Sequence, residues 1–72
     1  MKTIERTVDN CIAQVFAKLR VLRCELSYDN RHNSPLARRI GAEEAIGYAK
    51  VYKIQNEDTL LLQDYLRTVQ LR

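Results

Sequence analysis

Residues 1–26 read MKTIERTVDNCIAQVFAKLRVLRCEL, and within them Met1, Ile4, Val8, Cys11, Ile12, Val15, Leu19, Leu22 and Leu26 recur at helical spacing. At about 100° per residue these positions share an arc of roughly 100°, into which no polar side chain of the segment points. The spacing predicts a helix over residues 3–26 that presses along its length against another surface. Glu5 and Asp9 near its start and Arg20 and Arg23 near its end follow the order that the helix dipole favours.

Working outward, residues 27–34 (Ser27, Tyr28, Asp29, Asn30, Arg31, His32, Asn33, Ser34) gather the turn-forming residue types and predict a loop. Ser34 followed by Pro35 suits the start of a second helix. The hydroxyl can accept from a free amide, and proline at the first helical position has no amide to satisfy. Over residues 35–55, Leu36, Ala37, Ile40, Gly47, Tyr48, Val51 and Ile54 share one side, interrupted by Glu44. That side is the expected core face, although Gly41 and Gly47 each cost about 1 kcal/mol relative to alanine inside a helix.

The same wheel continues in phase to Leu61, Leu62, Tyr65, Leu66 and Val69, with Asp58 intruding. A single helix over this whole stretch would be about 54 Å long, against about 36 Å for the first, so its overhang would need another subunit. A break at 56–59, with Asn56 or Asp58 capping a short third helix over 59–71, lets the chain close on itself. Another alternative pairs residues 50–54 with 59–62 as a β-hairpin, since the first run is rich in β-branched and aromatic side chains. The expected fold is therefore all-α, an antiparallel helical hairpin or a small three-helix bundle, in one domain over 1–72.

Seventy-two residues bury only about 60% of the surface that the unfolded chain exposes, so a fold of this size needs added support. Cys11 and Cys24 do not supply it as a disulfide. They lie thirteen positions apart on the predicted helix, about 20 Å, far past the roughly 7 Å that a bridge allows. Free thiols suit a reducing compartment, and charge at Lys2, Glu5 and Arg6 interrupts any secretory apolar region, so a cytoplasmic protein is expected. The longest apolar run, Leu60 to Leu62, is far short of the ~20 residues needed to span a bilayer. Twelve basic residues mixed with nine acidic ones give +3, a weak polyelectrolyte signal. Oligomerisation or a larger partner remains as the way to add buried surface.

Chemistry-bearing residues are sparse. His32 stands alone in the loop, and one histidine with two separated thiols matches no common zinc spacing. Ser34 is explained as a cap. Glu43 with Glu44, and Glu57 with Asp58, are adjacent pairs that diverge by about 100° on a helix and cannot share a substrate. The glycines follow no strand and precede no Gly-Lys-Ser/Thr run, so they form no phosphate loop. No catalytic residue, cofactor or metal site is expected.

Residues 36–46, LARRIGAEEAI, resemble the first helix and turn of a helix-turn-helix unit, with Ala37 four residues before Gly41. The resemblance covers about a dozen residues and implies a dimeric nucleic-acid-binding regulator around residues 36–52. Position 47, where the second helix would need an apolar anchor, holds glycine, and Glu43 and Glu44 would face phosphate.

The densest basic cluster is Arg31, His32, Arg38 and Arg39, with Tyr28 nearby, and arginine with tyrosine is the composition of binding hot spots. Phe16 and Tyr52 sit at the margin of their apolar stripes and are further candidates for contact. The partner-binding set is thus Tyr28, Arg31, Arg38, Arg39, Phe16 and Tyr52. The function expected is that of a non-enzymatic interaction protein, an inhibitor, adaptor or assembly subunit of the kind phages and plasmids encode for host takeover or anti-defence. Its expected partner is a larger protein or complex, with homo-oligomerisation as a further expectation and no membrane.

Overall fold

The computed structural model describes residues 2–23 and 34–70, with the side chains of residues 5–23 and 34–69. Three helices, α1 (Lys2–Val21), α2 (Pro35–Val51) and α3 (Glu57–Gln70), each touch both others, which makes the chain a three-helix bundle. The hairpin with one long second helix is not formed, and the described residues contain no strand. None of these helices is long and apolar enough to cross a membrane.

In α1 the expected stripe is the buried one: Val8, Cys11, Ile12, Val15 and Leu19 all lie in the core. Phe16 joins them and widens the arc. The helix stops at Val21, five residues short of Leu26, because Arg23 takes a left-handed backbone (φ 65) and its N–H turns to the carbonyl of Arg20 at 2.9 Å. Leu22, expected on the buried stripe, is 43% exposed. Leu22 lies past the last helical residue, in the turn that Arg23 makes, and so leaves the line of the stripe. Met1, Cys24, Leu26 and the side chain of Ile4 lie outside what the structure describes.

Helix α2 starts as the Ser34-Pro35 pair predicts, with Ser34 Oγ accepting from the Ala37 N–H at 3.1 Å. It ends in a Schellman motif. The Ile54 N–H donates to the Ala49 carbonyl at 2.8 Å, the Lys53 N–H to Lys50 at 3.4 Å, and Lys53 is left-handed (φ 57).

Its buried face is not the expected one. Gly41, Ala42, Ala45, Ile46 and Ala49 point into the bundle together with Arg38, while Leu36, Ile40, Tyr48 and Val51 are exposed. The two sets are centred roughly 180° apart on the wheel, so the helix is turned half way round from the sequence expectation. Small side chains let α2 approach both neighbours closely, and α1 and α3 fill the space with Ile12, Leu19 and Leu62. Of the expected stripe, Ile54 does pack on the core, because it lies past the left-handed turn.

The break falls at 52–56, a few residues ahead of the expected 56–59, and Asn56 caps α3 as its sequence suggests. Asn56 Oδ1 accepts from the Thr59 N–H at 3.1 Å while Thr59 Oγ1 accepts from the Asn56 N–H at 2.9 Å, a reciprocal capping box. Thr59 fills this role inside the core, where a glutamate would bury a charge. Leu62 and Leu66 are buried and Leu61, Tyr65 and Val69 half-buried, as the phase of the wheel predicts.

Candidate interaction surface

Because α2 turns its alanines inward, its larger apolar side chains form a strip on the outside of the bundle. Leu36 is 64% and Val51 70% exposed, with Ile40 and Tyr48 between them, over about 22 Å of helix. Gly47 lies on the same strip, and a Cβ built there would meet nothing within 4 Å. Glu43 borders it and Glu44 falls within its arc, both exposed. Arg39 Nε is 4.0 Å from Glu43 Oε2, a solvent-screened pair at the limit of contact.

The residues picked from sequence as partner contacts separate. Arg38 is 5% exposed and forked onto Asp9, with Nε to Oδ1 at 2.9 Å and Nη2 to Oδ2 at 3.4 Å. The hydrogen bond to Asp9 holds its guanidinium above the usual range despite burial, with Glu5 also contributing. It is thus a clamp between α1 and α2 and not part of an exposed basic cluster. Phe16 is likewise inside, in the core cluster. Arg39 and Tyr52 are exposed. Tyr28, Arg31 and His32 lie outside the described residues.

A helix-turn-helix needs the chain to turn at Gly41, and α2 runs unbroken through it from Pro35 to Val51. That overturns the geometric basis of the resemblance. The buried Gly41 serves the close packing of α2 instead.

A second feature is an open cleft of about 360 Å³ at the α2–α3 corner, floored by Ile46, Ala49 and Ile54 and edged by Lys50, Lys53, Gln55 and Gln63. The Cys11 thiol is buried against α3's first turn. Burial and its hydrogen bond to the Asp58 carboxylate push it up from 9.0 to about 11. At neutral pH it is therefore a protonated core group, a poor nucleophile.

The outward strip of α2 is legible as apolar in the sequence, where its spacing alone points to the core. The signal that distinguishes the faces is alanine: Ala42, Ala45 and Ala49 recur at three- and four-residue spacing on the opposite side. The chain matches no family model, no curated protein and no solved structure.

Proposed function

We propose that this chain is a non-enzymatic interaction protein, an inhibitor, adaptor or assembly subunit, and that its working surface is the outward strip of α2. One observation carries the reading: α2 has apolar residues on two opposite sides, three alanines and Ile46 inward and Leu36, Ile40, Tyr48 and Val51, interrupted by Glu44, outward. Large apolar side chains in a row on an exposed helix face mark an interaction site, and here the inward face is covered while the outward one is exposed. Arg39, on the border of the strip, supplies charge that can orient a partner. A reducing, cytoplasmic setting suits the unpaired Cys11.

The test is capture of partners by the tagged full chain from the cells that make it, against Ile40→Glu with Val51→Glu. Both side chains are exposed, so the helical spectrum should persist and stability should stay within about 1 kcal/mol of wild type. Bound species should be lost at least tenfold. Undiminished capture by a folded double variant removes α2 as the working surface.

A further inference from the structure

We infer that the outward face of α2 is covered by a second copy of this chain, packed antiparallel across a two-fold axis near residues 41 and 42. The inference deepens the reading of α2 as the interaction surface and rests on it. Two kinds of observation converge, one of shape and one of charge.

The shape observation is Gly47, which costs about 1 kcal/mol in a helix interior. No contact within the bundle requires it, since the space over it is open to solvent. Close approach of another helix would use that gap, and a large side chain able to fill it is already present on α2. In an antiparallel pair, residues whose numbers share a constant sum lie level, and Leu36 with Gly47 sums to 83. Each copy's Leu36 then enters the gap at the other's Gly47, and Ile40 comes within one turn of its own counterpart across the axis.

Charge selects this register over its nearest rival. Placing Leu36 against Val51 would cover slightly more apolar length, but the sum of 87 sets Glu43 and Glu44 of one copy beside Glu43 and Glu44 of the other. Four carboxylates would then repel across the seam. In the register near 83, Arg39 lies within one residue of Glu43 of the other copy, and symmetry makes the pair twice. The 4.0 Å separation of Arg39 and Glu43 within one chain leaves both free to exchange partners. A contact of about three helical turns buries less than the roughly 800 Å² per partner of a standard interface, which places it in the size class of weak, reversible contacts.

Sedimentation equilibrium of the full chain over a hundredfold concentration range should give a mass rising toward twice 8.4 kDa. Gly47→Leu should hold the mass at the monomer value, with a melting temperature equal to or above that of wild type when both are diluted until monomeric, since a Cβ at this position meets nothing within 4 Å. Arg39→Glu and Glu43→Arg should each weaken association tenfold or more. An equimolar mixture of those two variants should recover the wild-type mass. In the mixed pair each contact across the seam again joins a carboxylate of one variant to a guanidinium of the other, while either variant paired with itself sets like charges together. That recovery distinguishes two copies from any other partner. The dimer is overturned by a monomeric wild type, by a mixture that stays monomeric, or by a Gly47→Leu chain that still associates. A Gly47→Leu melting temperature below that of wild type, with both chains diluted until monomeric, would overturn it too, as evidence that the face is covered from within the chain. A monomeric wild type whose Ile40→Glu, Val51→Glu form still loses its captured partners would sink the dimer and leave the interaction surface standing.

Discussion

α1 and α2 bury opposite kinds of residue. α1 turns its largest apolar side chains inward, whereas α2 turns inward three alanines and a single large apolar residue, Ile46, and leaves Leu36, Ile40 and Val51 outside. Both choices satisfy the same requirement, since three helices converging on one axis must fill the space between them without excess. Once Ile12, Val15 and Leu19 of α1 and Leu62 of α3 occupy that space, the third helix fits best with alanines. A hydrophobic pattern thus reports which faces can leave water, and the volumes of the neighbours decide which one does.

The sharpest way to break this comparison is to truncate the same residue type in both helices. Leu19→Ala should destabilise by about 2–5 kcal/mol, while Leu36→Ala should change stability by under ~1 kcal/mol. Thermal melts at a concentration where the chain is monomeric measure both. Equal losses would mean that α2 does not turn its leucine outward. The correction to α1 is tested alongside: Leu22→Ala should behave like Leu36→Ala.

Enlarging the small face comes next in size. Ala45 is fully buried between neighbours, so Ala45→Leu should cost about 1–3 kcal/mol through forced displacement of α1 or α3. A neutral or stabilising Ala45→Leu would show spare volume beneath α2 and remove the reason given for its orientation.

A smaller effect comes from the one titratable group in α1's apolar stripe. The folded state holds the Cys11 thiol at about 11 against an ordinary 9.0, so folding favours the protonated form. Its contribution is complete below pH ~9 and is lost as pH rises through about 11, with about 1.4 kcal/mol gone by about pH 10. Denaturant titrations should therefore show an alkaline decline in wild type that is shallower by that amount in Cys11→Ala. Identical declines would mean that the thiol is not held up by burial and by Asp58.

Much of the fold is legible in the sequence because it is encoded locally. The α1 stripe, the Ser34-Pro35 start, the break near Asn56 and the phase of α3 each depend on residues within a turn or two of one another. Two features are not. The end of α1 is made by Arg23 in a left-handed conformation, which sequence announces when glycine does it and conceals when arginine does. The orientation of α2 depends on volumes supplied by α1 and α3, distant in sequence. The candidate site is harder still. Arg38 reads as surface charge beside Arg39, and its partner Asp9 lies 29 positions away on another helix. Phe16 sits at the margin of its stripe, and only the bundle's width decides that the margin is inside.

Since α2 keeps its two faces separate, the residues that hold the bundle and the residues of the proposed interaction surface are different sets on one element. Substitutions whose side chains share no packing partners couple weakly. Leu36, Ile40, Gly47 and Val51 can therefore drift without disturbing Ala42, Ala45 and Ala49. On the proposed reading of the outward strip, a lineage carrying this chain can exchange one partner for another by successive single steps, because no change of allegiance has to pass through a broken core.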